Sequence, residues 1–143
     1  MRKIPGAALI ILAACLLVAC ASNGPEKAVV LRNVLPQAMP LLRFGVERDG
    51  SLSRTTVIAV LKQEFAAADT NHDGVLERDE INTVNDARWK KDGPAASMLI
   101  DWNHDGVVDF NEFATTDLSL FDQIDANGDG VVTAGEFEGK KVK

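Results

Sequence analysis

The chain has 143 residues, which is enough for one compact domain together with an N-terminal targeting segment. Aromatic residues make up 6% of it and Tyr is absent, so a core must rest on aliphatic side chains and six Phe, which suits a small helical domain. The formal net charge of −6 makes the chain a poor partner for nucleic acid and a good one for cations.

The first residues predict a secretory leader. Arg2 and Lys3 precede an apolar run over 4–21, and this order is typical of a signal peptide. The run reaches the lower limit of about 17 residues for a bilayer span, but a Pro-Gly pair interrupts its start and polar residues follow directly. We expect residues 1–19 to be removed as a leader, which takes two positive charges away and leaves a net charge of −8.

The leader ends on L-V-A-C at 17–20, which resembles the lipobox of bacterial lipoproteins. The resemblance implies acylation of Cys20, which becomes the first mature residue, and a lipid-anchored location in the bacterial cell envelope, on the periplasmic or outer face of a membrane. L-A-A-C at 12–15 matches the same pattern, but cleavage before Cys15 leaves an apolar new N-terminus, whereas cleavage before Cys20 leaves a polar one. The alternative is that both Cys are ordinary residues of a signal peptide. Residues 21–143 contain no Cys, so disulfides within the mature chain are excluded.

Residues 20–43 form the predicted acylated N-terminus and tether. Pro25, Pro36 and Pro40 cut any helix in this segment into pieces. The apolar residues of 29–42 are too many for a solvated linker, so we expect a short helix or strand here that docks on the domain.

Three twelve-residue segments downstream share one pattern: loop 1 (69–80), loop 2 (101–112) and loop 3 (125–136). Each has Asp, Asn and Asp at positions 1, 3 and 5, Gly at position 6 and Glu at position 12. This pattern resembles the calcium-binding loop of EF-hand proteins. Three copies with matching flanks make an accidental series of surface turns a poor alternative.

The resemblance implies an all-α, EF-hand helix-loop-helix domain over 44–143 that binds three calcium ions. Calcium takes six to eight oxygen ligands, which the side chains at positions 1, 3, 5, 9 and 12 and the carbonyl at position 7 supply. The implied ligands are Asp69, Asn71, Asp73, Val75, Glu77 and Glu80 in loop 1, Asp101, Asn103, Asp105, Val107, Asp109 and Glu112 in loop 2, and Asp125, Asn127, Asp129, Val131, Thr133 and Glu136 in loop 3. Loop 3 should bind more weakly, because position 9 lacks a carboxylate.

A fourth copy, the degenerate loop, is predicted at 45–56. It keeps Gly50 at position 6 and Leu52 at position 8, but Gly45 replaces the first Asp and Thr56 the final Glu. The four loops start at 45, 69, 101 and 125, so the intervals are 24, 32 and 24 residues. This symmetry favours an EF-hand loop that has lost its ligands over a plain turn. We expect the degenerate loop to serve as a packing partner without an ion.

The intervals also constrain the helices. Residues 55–68 predict one continuous helix of about 21 Å, whereas Thr116 and Asp117 leave it open whether 110–124 forms one helix or two. A D-G-P break at 92–94 favours pairing of loop 1 with loop 2. The alternative pairs the degenerate loop with loop 1 and loop 2 with loop 3.

Several residues beside the loops have simple expected roles. Aromatic and aliphatic residues flank the loops at the core-facing positions of EF-hand helices: Phe65, Ile81, Phe113, Phe121 and Phe137. His72 and His104 lie at position 4, where we expect solvent exposure and not a zinc or nickel site. The basic segment 88–91, R-W-K-K, either contacts lipid headgroups or a partner, or forms a partly packed helix end.

Two functional classes remain open. The favoured one is a calcium-responsive binding module with an envelope protein partner, and the alternative is a constitutively loaded structural or buffering protein. The mature chain has only Met39 and Met98, which disfavours a sensor with a Met-rich groove. We expect no enzymatic activity, because the sequence shows no catalytic triad, Cys nucleophile or phosphate loop.

Overall fold

The computed structural model describes residues 28–95 and 97–140, and the predicted leader and Cys20 lie outside them. The described chain is mostly helical, as predicted, with two short strands in addition. The elements are the 3-10 helix Pro36–Phe44, β1 (Leu52–Ser53), α1 (Arg54–Ala68), α2 (Arg78–Asp92), the 3-10 turn Gly93–Ala95, α3 (Phe110–Ile124), β2 (Val131–Val132) and α4 (Ala134–Phe137). Among these residues no helix is both long and apolar enough to cross a bilayer.

Helix α1 is the single continuous helix that the sequence predicts. The Ser53 hydroxyl caps it by accepting a hydrogen bond from the Thr56 amide. Val57, Leu61 and Phe65 recur on one face at a spacing of four residues and are buried. The helix ends where loop 1 begins, so it fixes the position of the first predicted ligand.

Helix α3 is also continuous, which settles what the sequence left open. Its buried face packs against α1, with the Phe65 and Phe113 rings edge to face at a centroid distance of 5.4 Å. Asp117 does not cap a second helix, because its carboxylate accepts a hydrogen bond from Arg43 at 2.9 Å. Tertiary packing therefore outweighs the weak local signal for a break.

The loops pair at both ends of α1 and α3. Loop 1 pairs with loop 2, as favoured, through an antiparallel bridge in which Leu76 and Val108 exchange two N–H···O bonds of 2.9 Å. The degenerate loop pairs with loop 3 through β1 and β2, with Leu52 opposite Val132. The alternative pairing is wrong. All four of these position-8 side chains are fully buried.

This pairing explains the symmetric intervals. Helix α1 runs from the degenerate loop to loop 1, and α3 runs from loop 2 back to loop 3, so the two helices are antiparallel. Each helix has 15 residues, or about 22 Å at 1.5 Å per residue. The two loop pairs therefore lie at opposite ends of the domain, and α2 makes the connection between the repeats.

The segment before the first loop docks on the domain, as its apolar residues predict. Ala38, Leu41 and Phe44 of the 3-10 helix are buried in the core. Leu35 donates its amide to the Phe137 carbonyl at 2.8 Å, and Val29 donates to the Arg48 carbonyl at 2.7 Å. The compact unit thus includes residues 28–44, and its N-terminal segment covers the end formed by the degenerate loop and loop 3.

Candidate metal centres

The three complete loops share one backbone shape. The position-6 glycines have φ values of 89°, 95° and 83° at Gly74, Gly106 and Gly130, in the left-handed region that favours glycine. Position 4 is left-handed as well, with φ of 61° at His72 and 62° at His104. Sequence reasoning missed this second requirement, although Gly128 at the same position of loop 3 was a signal for it.

The first aspartate of each loop organises the turn. Asp69 accepts hydrogen bonds from the amides of Asp73 at 3.2 Å and Gly74 at 3.0 Å. Asp101 and Asp125 likewise each accept two amide bonds, one of them from the position-6 glycine. These carboxylates face into the loop and do not extend into solvent.

Positions 3 and 5 continue the same network. The Asn71 side-chain oxygen accepts from the Asp73 amide at 3.0 Å, and Asp73 accepts from the Val75 amide at 3.0 Å. The Asn71 amide nitrogen also donates to both Asp73 and Glu77, which reduces repulsion between those carboxylates. Loops 2 and 3 repeat the bonds of positions 3, 5 and 7 at 2.8 to 3.0 Å.

The final glutamate closes each loop with both carboxylate oxygens. One oxygen of Glu80 accepts from the Thr70 amide and hydroxyl, both at 2.7 Å, and the other accepts from the Glu77 amide at 3.2 Å. These bonds, led by that from the Thr70 hydroxyl, lower the pKa of Glu80 to about 2. Glu112 and Glu136 bridge positions 2 and 9 in the same way. An ionised carboxylate with two oxygens held over the loop suits a bidentate metal ligand.

Position 9 has a structural role that sequence reasoning missed. Asp109 accepts from the Glu112 amide at 2.8 Å, and Thr133 accepts from the Glu136 amide at 3.3 Å. Both residues are therefore N-caps of the exit helices as well as ligand candidates. In loop 1, desolvation and the charges of Asp73 and Glu80 raise the pKa of Glu77.

The donor set of each loop fits calcium. All predicted ligands offer oxygen, from carboxylates, one Asn side chain, the main-chain carbonyl at position 7 and, in loop 3, the Thr133 hydroxyl. Within 28–95 and 97–140, no group of three or more His, Cys, Asp and Glu side chains is arranged to hold a metal ion. The loop carboxylates instead accept hydrogen bonds from backbone amides of their own loops, as Asp69 does from Asp73 and Gly74.

The degenerate loop has a different interior. Asp49 accepts from the Ser51 hydroxyl at 2.6 Å and the Ser51 amide at 2.9 Å, which lower the pKa of the Asp49 carboxyl. Gly45 has no side-chain oxygen, and the Thr56 hydroxyl is hydrogen-bonded to Ser53 at 2.9 Å. A Cβ atom on Gly50 would lie 3.0 Å from Ala134, so the loop is packed against loop 3.

Comparison with known proteins agrees with this geometry. A protein-family model described as EF hand matches residues 61–85 and 117–139, which contain loops 1 and 3 with parts of their flanking helices. No curated protein matches the chain. Loop 2 and the degenerate loop lie outside the two matched segments. The matches and the loop geometry together identify an EF-hand calcium-binding domain in this chain.

Proposed function

We propose that loops 1, 2 and 3 each bind one calcium ion and that the degenerate loop binds none. The observation that carries the count is in loop 2, which has the same hydrogen-bond arrangement as the two family-matched loops. Its position-12 carboxylate accepts from the Trp102 amide at 2.9 Å and from the Asp109 amide at 3.2 Å. Loop 3 should have the lowest affinity, because Thr133 gives no carboxylate at position 9.

Titration calorimetry tests this count. The unchanged chain should bind three ions, and Glu80→Gln, Glu112→Gln and Glu136→Gln should each lose one, since Gln cannot supply a bidentate carboxylate. Glu47→Gln, the same chemical change in the degenerate loop, is the matched control and should keep all three. A site that survives in the triple variant would show that the degenerate loop binds calcium.

Terbium luminescence tests loop 2 separately. Trp102 occupies position 2, next to the first ligand, and lanthanide ions take similar oxygen ligands. Trp102→Phe should therefore remove most of the tryptophan-sensitised terbium emission, whereas Trp89→Phe should leave most of it. An equal loss in both variants would mean that the emission does not report loop 2.

We also propose that the chain is a lipid-anchored protein of the bacterial envelope, acylated at Cys20. The support is the L-V-A-C sequence at 17–20 and the polar residues that follow it. Cys20→Ser should release the protein from membranes in the producing cell, and Cys15→Ser should not. Membrane attachment lost only in Cys15→Ser would move the anchor to that residue.

Within the envelope, the proposed role is a non-catalytic, calcium-responsive binding module with a protein partner. The support is that α1 and α3 each connect a loop of one pair to a loop of the other pair. An ion bound in one loop therefore acts on a helix that also borders another loop. The alternative is a constitutively loaded buffer or structural protein. It is favoured by the docked 3-10 helix, which covers apolar core in the described structure. An apolar dye should bind more with calcium than without it if the module responds, and equally if it is a buffer.

A further inference from the structure

The final glutamates of the three complete loops belong to helices of very different length. Glu80 lies in α2 and Glu112 in α3, which have 15 residues each, whereas Glu136 lies in α4, which has four. A helix of four residues is not stable by itself in water. Glu136 is nevertheless the most buried of the three, at 3% exposed against 9% for Glu80, and Glu112 is partly exposed. Other parts of the chain must therefore hold α4 and cover its glutamate.

The N-terminal strap, defined as residues 29–35, is bound to the end of α4 through Leu35. The Leu35 amide donates to the Phe137 carbonyl at 2.8 Å, and Phe137 directly follows Glu136 in the chain. A Cβ atom on Gly139 would lie 3.1 Å from the Leu35 side chain, so this side chain packs on the Gly139 backbone. Leu35 therefore contacts the exit side of loop 3 within three positions of the final ligand.

Two further contacts join the strap to the same place. The Arg32 amide donates to the Glu138 carboxylate at 3.2 Å. Leu35 also lines one cleft together with Ala126 and Glu136, at positions 2 and 12 of loop 3. The strap thus supports the end of α4, whereas α2 and α3 extend for about three turns past their glutamates.

We propose that the strap positions Glu136 for calcium, so that loop 3 binds its ion more tightly when the strap is docked. Leu35 and Arg32 are positioning residues, because their contacts are with the chain that follows Glu136. A ligand that is already held in its bound place loses less conformational entropy when the ion arrives. This support matters most in loop 3, where Thr133 gives no carboxylate at position 9. The inference rests on the proposed calcium binding by loop 3.

Titration calorimetry on a chain that keeps one complete loop measures this effect directly. Glu80→Gln with Glu112→Gln leaves loop 3 as the single site. In this background Leu35→Ala should weaken calcium binding by roughly 5- to 150-fold, the usual range of coupling between two sites. Leu35→Met keeps most of the side-chain volume and should keep most of the affinity.

Leu42→Ala is the matched control for lost packing. Leu42, like Leu35, is a partly buried leucine that packs on the core, but it belongs to the 3-10 helix Pro36–Phe44. Leu42→Ala should destabilise the calcium-free chain in urea as Leu35→Ala does, yet leave the affinity of loop 3 unchanged. In the Glu136→Gln background, which keeps loops 1 and 2, Leu35→Ala should leave both remaining affinities unchanged.

Leu35→Pro tests the backbone bond. Leu35 has φ of −58°, which a proline ring adopts without strain, but proline has no N–H to donate to Phe137. Leu35→Pro should therefore weaken calcium binding at loop 3 at least as much as Leu35→Ala, because it removes the side chain and the donor together.

The outcomes separate this inference from the proposed function. Unchanged affinity of loop 3 in both Leu35→Ala and Leu35→Pro would overturn the role of the strap and leave the proposed number of ions intact. Absence of calcium binding in the background that keeps only loop 3 would overturn both. Equal weakening by Leu35→Ala and Leu42→Ala would assign the loss to general packing, and it would also overturn the role of the strap.

Discussion

At one end of α1 and α3, two complete loops meet through a single bridge between Leu76 and Val108. At the other end, the degenerate loop meets loop 3 through two residue pairs, Leu52 with Val132 and Ser53 with Val131. The first end carries eight carboxylates at ligand positions, whereas the second carries five, three in loop 3 and two in the degenerate loop. The fold thus repeats its architecture, but the charge that must be offset is concentrated at one end.

Protein contacts join the N-terminal segment to the second end. Leu35 donates to the Phe137 carbonyl at 2.8 Å, and the Arg32 amide donates to Glu138 at 3.2 Å. Glu138 also forms an ion pair with Lys140, which contributes to the lowered pKa of Glu138. The degenerate loop is held by backbone bonds as well, because the Arg48 carbonyl accepts from the Val29 amide at 2.7 Å and the Arg54 amide donates to the Gly130 carbonyl at 2.9 Å, so it can keep its place without an ion.

Calcium removal should have the largest effect on stability, and it should destabilise the end with loops 1 and 2 more than the other end. Each occupied site contributes about 2.7 kcal/mol when free calcium exceeds Kd by about 100-fold. Chelation should therefore lower the thermal midpoint strongly, and hydrogen exchange should increase most at loops 1 and 2. Equal increases in hydrogen exchange at both ends would show that calcium stabilises the two ends equally. Magnesium should protect less, because it prefers strict octahedral geometry.

Truncation of the buried position-8 residues should separate packing from ion binding. Leu52→Ala should cost about 2–5 kcal/mol of unfolding free energy, since Leu52 is fully buried, and all three calcium ions should still bind. Leu76→Ala removes an equally buried side chain from loop 1 and is the matched variant. It should also weaken calcium binding, as measured by calorimetry. A lost ion in Leu52→Ala would show that the degenerate loop affects coordination.

Adding one methyl group at position 6 sharpens the same contrast. Gly50 and Gly74 have similar φ values, 82° and 89°, so Ala costs about 1–2 kcal/mol of backbone strain at either. At Gly50 the new Cβ would also lie 3.0 Å from both Val29 and Ala134, whereas at Gly74 it meets nothing within 4 Å. Overpacking should make Gly50→Ala worse by about 1–3 kcal/mol in urea unfolding with calcium removed. Equal losses would indicate that the N-terminal segment moves aside freely.

Whether a feature of the fold or of the sites could be predicted from the sequence depends on how far apart in the chain the interacting residues are. The loop positions follow from local rules: Gly at position 6, oxygen ligands at alternate positions, and an apolar residue at position 8. The sequence also favours pairing of loop 1 with loop 2, because these two loops are linked by one helix and a break at 92–94. Each of these features is specified by residues that lie close together in the sequence.

Pairing of the degenerate loop with loop 3 could not be predicted in this way. Leu52 and Val132 are 80 positions apart, and nothing local links their segments. Continuity of α3 past Asp117 likewise depends on Arg43, a distant residue that takes the carboxylate away from a capping role. Membrane attachment at Cys20 stays a prediction, because that residue lies outside the described part of the chain.

The smallest expected effect concerns position 4, where loops 1 and 2 carry a strained His and loop 3 carries Gly128. His72 has φ of 61°, so His72→Gly relieves about 1–2 kcal/mol of strain but adds entropy to the unfolded chain, for a net gain of about 0.5–1 kcal/mol. His104→Gly should gain less, because the His104 ring nitrogen lies within hydrogen-bond distance, 3.1 Å, of the Trp102 carbonyl. Gly128→Ala is the reverse change and should lose about 1 kcal/mol, since its φ is 70° and its Cβ would meet nothing within 4 Å. Urea unfolding at saturating calcium measures all three. If both His variants were destabilised, the histidines would be making contacts that offset their backbone strain, and position 4 would not be a purely conformational site.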